Sequence, residues 1–499
     1  MSQKLERLQK YLEKMNRLNH VSTLLYWDMR TGTPKEGFDA HADAVAYFST
    51  EAFQMGTAEE LGNMLDELAQ PEEYNALDEK WQFVVKKMKY DFDRDKRIPA
   101  EAYERYVRAQ AESERAWEEA KNASDYAMFA PHLKAMIELT KEITGYTDPD
   151  KEVYDALLNQ YEEGMDSATI DRIFGELKAE LVPFVQQILK AKQPDDRKFQ
   201  GYFDVDAQEK VQKMLLDYIG FSWEKGAVGR TEHPFTLNFN NKDVRITTNY
   251  QENNLVDSMY SVIHEGGHAL YELGICDDVQ YTCLAGGVSM GVHESQSRFY
   301  ENLIGRSKPF IEAIFPKMQE LFAEQLSGVS AEDMYLAVNR VEPSLIRTEA
   351  DQVTYCLHVM IRYEIEKAVI GGTLEVKDIP AEWNRLYKEY LGVEVPDDRQ
   401  GCLQDSHWAG GMIGYFPSYA LGSAYGVQML HNMEREIPDL WEQVAQGKLG
   451  AVTGWLKEKV HQYGGILTPA EVIENACGVF DPLVYTEYLV QKYSEIYEL

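Results

Sequence analysis

The chain has 499 residues, with 50 Lys and Arg against 83 Asp and Glu and a formal net charge of −33. So acidic a polypeptide repels nucleic-acid phosphates and anionic lipid, so neither nucleic acid nor a membrane is an expected partner. The hydrophobic share of 44% is ample for a large core. The five cysteines are odd in number and never spaced C-x-x-C, which argues against a disulfide framework or a thiolate metal site.

The chain opens on a charged stretch in which Leu5, Leu8, Leu12, Met15 and Leu18 recur every three or four residues. This is a helical period rather than a secretion signal. No run of about 18 apolar residues occurs, so the expectation is a soluble, cytoplasmic protein. Residues 100–120 are dense in Glu, Ala and Arg, as in an exposed helix. The segments 168–192, 206–218, 309–326, 344–370 and 482–497 also read as helices, with Pro and Gly mostly between them. No Ser/Gly linker, low-complexity tract or fixed repeat divides the series. The predicted fold class is mainly α, with one large helical body over 1–499.

Residues 235–250 break the pattern. Two alternating segments flank Asn240-Asn241, which predicts a hairpin. In its second arm Asp243, Arg245 and Thr247 share one face, and Val244, Ile246 and Thr248 the other. Lying just before the next helix, this strand is a candidate for pairing with an extended peptide through a free edge, or for packing on helices alone.

The next helix carries His264-Glu265-Gly266-Gly267-His268, an H-E-x-x-H sequence. Residues i and i+4 share a helix face, so both imidazoles reach one metal ion, and the intervening Glu is placed to deprotonate a water there. The fixed letters recur by chance roughly 0.04 times in a chain of this composition. Apolar residues at 255, 259, 262, 263, 270 and 273 keep the helical period through the motif. The paired glycines each cost about 1 kcal/mol in a helix interior; close approach of a substrate backbone is the expected reason. Zinc sites that hydrolyse peptides usually have a third protein ligand. Glu294, 26 residues beyond the second His, is the preferred donor and His293 the competitor, because neighbours on a helix diverge by about 100°. Zn²⁺ suits two His and a carboxylate, and Co²⁺ or Mn²⁺ fit as well.

Motifs along nearly the whole chain resemble the thermostable metallocarboxypeptidases of the Taq type. They are Trp27-Asp28 with Thr31 and Pro34; Asp243, Arg245 and Thr247; the H-E-x-x-H; His293-Glu294-Ser295-Gln296; Ile346-Arg347 with Ala350-Asp351; and Gly401, Gln404-Asp405 and His407-Trp408. The resemblance implies a helical, gluzincin-like fold with a deep cleft, a homodimer, and release of single C-terminal amino acids from peptides with broad specificity. It also implies His264, His268 and Glu294 as metal ligands and Glu265 as catalytic base. Related helical zinc peptidases use a His and a Tyr at the transition state, which makes His407 and Tyr419 the candidates in the Gly-rich segment 401–426; packing of aromatics in a loop is the alternative. A free C-terminal carboxylate calls for an Arg. Arg347 and Arg245 are the candidates, although Arg347 and Asp351 at helical i+4 spacing would also make an ordinary ion pair. His233 is a further candidate for substrate contact. An oligopeptidase or dipeptidyl carboxypeptidase using the same apparatus is the alternative activity, and a helical interaction protein with a structural zinc site the alternative class.

Overall fold

A computed structural model describes residues 2–499. It is 67% helical. The first helix, Gln3–Thr31, starts where the Ser2 hydroxyl accepts from the Leu5 N–H, and it buries Leu5, Leu8 and Leu12. It packs against the helix Phe38–Gly56. Helices also form at Ala100–Ala123, Ser167–Ile188, Val205–Ile219, Lys308–Leu321 and Leu483–Tyr497.

The segment 344–370 departs from expectation. Only Tyr355–Ile370 is α-helical, preceded by a short 3-10 turn at Arg347–Glu349. The Asp351 carboxylate accepts from the backbone N–H groups of Val353 and Thr354, 2.8 and 3.0 Å away, and from the Thr354 hydroxyl at 2.7 Å. A short acidic side chain that satisfies nearby N–H groups starts a helix rather than continuing one. Arg347 and Asp351 therefore do not share a helix face, and the ion pair weighed as an alternative does not form between them.

The strands form one sheet, in the order β1 (Gly226–Arg230), β3 (Asp243–Thr248), β2 (Thr236–Asn240). β2 and β3 are the expected antiparallel hairpin, turning at Asn241-Lys242, one residue later than predicted. The Asn241 amide bonds the Ile275 carbonyl at 2.8 Å and Asp277 at 2.7 Å, which ties the turn down. β1, which sequence periodicity misses, runs parallel to β3. Its glycines weaken any strand pattern, yet a Cβ on Gly229 would come within 2.9 Å of Thr31 and 3.1 Å of Trp27. β3 is thus the central strand, and the free edges belong to β1 and β2.

Val244 and Ile246 are fully buried toward the motif helix, Leu255–Gly274, which is itself buried along most of its length. The paired glycines explain how its neighbours approach. A Cβ on Gly266 would meet Ile219 at 2.5 Å, and one on Gly267 would lie 2.5 Å from the Gln296 carbonyl oxygen. They admit two helices of this chain, correcting the expectation of a substrate backbone. Gly422, in the helix Pro417–Glu436, does the same against the helix Met290–Arg298, where a Cβ would sit 2.8 Å from both the Glu294 Cβ and the Gly291 carbonyl.

Candidate metal centre

Three donors converge between the motif helix and Met290–Arg298. His264 Nε2 lies 3.8 Å and His268 Nε2 3.6 Å from Glu294 Oε2. One ligand atom from each residue lies within 4.8 Å of the others. A tetrahedral ion with ligand bonds near 2.1 Å separates its donors by about 3.4 Å, so small side-chain adjustments close this group on a divalent cation.

Each donor has its own support. The Ser289 hydroxyl caps the Met290–Arg298 helix by accepting from the Val292 N–H at 3.0 Å, and buried Glu162 accepts from the Gly291 N–H at 3.0 Å. Arg298 Nε donates to Glu294 Oε1 at 2.7 Å, and the Ser297 hydroxyl donates to Oε2 at 3.1 Å. A π-helical turn, Phe299–Ile304, follows, and from it Glu301 Oε2 reaches His264 Nδ1 at 2.9 Å. Burial pushes the Glu301 carboxyl up, but Arg298, His264 and Arg306 hold it down to about 2. An ionised Glu301 keeps the proton of His264 on Nδ1 and leaves Nε2 to face Glu294.

His268 has a different support. Its Nδ1 lies 2.7 Å from His293 Nδ1, and His293 Nε2 lies 2.8 Å from Glu272 Oε1. Asn238 of β2 and the Gly287 N–H also donate to Glu272. His293, considered as a ligand from sequence, instead stands behind His268, a candidate donor. Neither Glu301 nor Glu272 was singled out from sequence. Glu301 lies seven residues beyond Glu294, a helical repeat that offered the one available signal.

Glu265, only 8% exposed, faces β2. Thr236 Oγ1 donates to its Oε2 at 2.6 Å and approaches its carbonyl oxygen at 3.0 Å. Burial raises its carboxyl above the usual range.

His407 and Tyr419 meet, with His407 Nε2 3.1 Å from the Tyr419 hydroxyl. His407 lies in a turn-rich segment, whereas Tyr419 lies on the helix Pro417–Glu436, so the loop alternative does not hold for it. Burial lowers the His407 imidazole to about 4 against the opposing pull of Asp405, so it is neutral at pH 7. Tyr415 stacks on His407 at 5.5 Å, while buried Tyr425 donates to Glu162.

Arg347 is buried and does make an ion pair, with Asp405 in place of Asp351: its Nε and Nη2 lie 3.1 and 2.9 Å from Oδ1. Arg245 forms a two-pronged bond with Asp243, at 2.9 and 2.8 Å, and stacks 4.5 Å over Phe239. It alternates with the inward Val244 and Ile246, so the sheet stands between it and the motif helix. His233 is exposed in the β1–β2 connection.

Known proteins resemble the chain over nearly its full length. Residues 7–493 match the family described as Carboxypeptidase Taq (M32) metallopeptidase. Carboxypeptidase 1 of Bacillus subtilis (strain 168) is 38% identical over 494 residues, 98% of each chain. Thermostable carboxypeptidase 1 of Thermus thermophilus is 37% identical, with 96% of each chain covered. The crystal structure of the M32 carboxypeptidase from Deinococcus radiodurans superposes with a TM-score of 0.96 at 34% identity, covering 100% of both chains. The match to the family and the full-length likeness of these relatives establish that the chain belongs to the Taq carboxypeptidase (M32) metallopeptidase family and is a metallocarboxypeptidase, a hydrolase.

Proposed function

We propose that the protein removes single amino acids, with broad specificity, from the C-terminus of peptides, using one Zn²⁺ held by His264, His268 and Glu294; Co²⁺ and Mn²⁺ suit the same donors. The observation that carries this reading is the convergence of the three donor atoms, with both Nδ1 atoms engaged outward. Bound there, the cation would supply Lewis acidity toward the scissile carbonyl and acidify water. The roles below belong to the chain itself.

Glu265 is the proposed general base and acid. Thr236 occupies one carboxylate oxygen and fixes its plane, leaving the other to take a proton from water and pass it to the departing amine. The raised affinity of the buried carboxyl for a proton suits both halves of that transfer.

Tyr419 is the proposed donor to the developing oxyanion, and His407 is proposed to act through it. In the tautomer with the proton on His407 Nε2, the Tyr419 oxygen accepts and its own proton stays available for substrate. Arg347 is proposed to bind the substrate carboxylate. Asp405 and the Tyr355 hydroxyl engage three of its five N–H groups, so one on each terminal nitrogen remains for a forked contact. Arg245 and His233 are proposed for further substrate contact, with Arg245 already paired to Asp243.

Five free thiols agree with a reducing, cytoplasmic setting, and no described helix is long and apolar enough to cross a membrane. The family resemblance supports a homodimer, which light scattering would measure. The decisive experiment incubates the protein with a defined peptide, with and without chelator, and reads products by mass spectrometry. Stepwise loss of single C-terminal residues, abolished by chelator, is expected; dipeptides or internal fragments would overturn the single-residue reading.

A further inference from the structure

Tyr355, the first residue of the helix Tyr355–Ile370, is 3% exposed and touches both halves of the site through different parts of its side chain. Its ring face lies under Arg298, whose guanidinium carbon is 3.9 Å from the ring centroid. Arg298 Nε in turn donates to the free oxygen of Glu294, and Nη1 lies 3.4 Å from Glu301. The Tyr355 hydroxyl accepts from Arg347 Nη1 at 3.1 Å. Its ring edge also meets Tyr419, at 6.3 Å and 84°.

We propose that Tyr355 is a positioning residue that aligns the metal-ligand half of the site with the carboxylate-binding half. This rests on the reading of Glu294 as a ligand and Arg347 as the carboxylate receptor. The ring has the geometry of a cation–π contact, which fixes the plane of the guanidinium on Arg298 and so the orientation of the Glu294 carboxylate. The hydroxyl supplies the third bond of Arg347. Asp405 grips only Nε and Nη2, and the Tyr355 oxygen sets the direction of Nη1. A single rigid aromatic thereby sets the spacing between the bound metal and the terminal carboxylate, the distance that decides which peptide bond is presented for hydrolysis.

Two substitutions separate the parts. Tyr355→Phe keeps the ring and removes the hydroxyl. Its zinc affinity, measured by chelator competition, should stay within about twofold of the parent. The preference in kcat/KM for a free-acid peptide over its C-terminal amide should fall about tenfold, as expected for one lost bond to a charged group. Tyr355→Met fills the space without a π face and should weaken zinc about 10- to 100-fold, as loss of an outer-shell support does, with kcat restored by excess zinc. An unchanged acid-to-amide preference in the Phe variant overturns the proposal, as does parent-like zinc affinity in a folded Met variant. If the Met variant does not fold, the Phe variant decides alone. His264→Ala and Arg347→Ala serve as controls: retained zinc in the first, or retained preference in the second, sinks the underlying site assignment and this inference with it. Controls that behave, beside Tyr355 variants that do not, remove this inference only.

Discussion

Gly267 and Gln296 are in such close contact that a Cβ on the glycine would sit 2.5 Å from the glutamine carbonyl oxygen. The helix with two candidate ligands and the helix with the third are thus in backbone contact beside the site. Gly267→Ala should force them apart, with overpacking of about 1–3 kcal/mol set against about 1 kcal/mol of helix propensity regained. Weaker metal retention after dialysis is expected in a folded protein. Gly266→Ala meets only the flexible ends of Ile219 and Leu216 and should retain metal better; equal retention in the two variants would refute this account.

Glu265→Gln keeps the size and the Thr236 contact of the side chain but removes its basicity. Metal content should be unchanged while kcat falls by about 100-fold or more. A variant that holds its metal and turns over within tenfold of the parent, about 1.4 kcal/mol of barrier, shows that Glu265 is not the base.

His407→Ala should lower kcat more than it raises KM, because the Tyr419 contact is proposed to act on the transition state. With the imidazole held near 4, it stays neutral above about pH 5, so His407 contributes no limb to the activity profile at neutral pH. A KM-only effect would assign it to binding.

Stability should carry a component from Glu162. Burial pushes this carboxyl from its ordinary 4.5 up to about 7, although Ser289, the Gly291 N–H and Tyr425 oppose the shift. A group with a raised folded-state pKa binds more protons folded than unfolded. Its contribution is therefore complete below about pH 4.5 and lost as pH rises through about 7. Urea midpoints of the parent should fall more between pH 5 and pH 8 than those of Glu162→Gln. Parallel profiles would show that Glu162 does not titrate in this window.

Chelation should abolish hydrolysis and lower the melting temperature, because a ligand that binds only the folded state stabilises it by mass action. Far-UV dichroism at 25 °C should change little, since the buried cluster extends through helices remote from the three donors. Loss of helix on chelation would mean that the metal is structural.

How far the sequence reaches is visible in particular residues. The helices of 3–31, 167–188 and 483–497 were legible because burial on one face leaves a repeat of three or four residues in the chain itself. The run 344–370 misled because that repeat continues across Asp351, where a side chain takes over the backbone N–H groups. β1 stayed invisible because its two glycines answer to Phe221 and Trp27, partners that no local pattern reveals.

The same division runs through the site. Sequence alone determined that two imidazoles share a helix face four residues apart with a carboxylate between them, since helix geometry sets that relation locally. Spacing singled out Glu294, and the family resemblance pointed to His407, Tyr419 and Arg347. Only tertiary structure decided that Arg347 answers to Asp405, 58 residues away, that His268 is backed by a second imidazole and His264 by a carboxylate, and that the paired glycines admit neighbouring helices. These relations depend on which distant surfaces meet when the helices close-pack, and spacing along the chain carries no record of that.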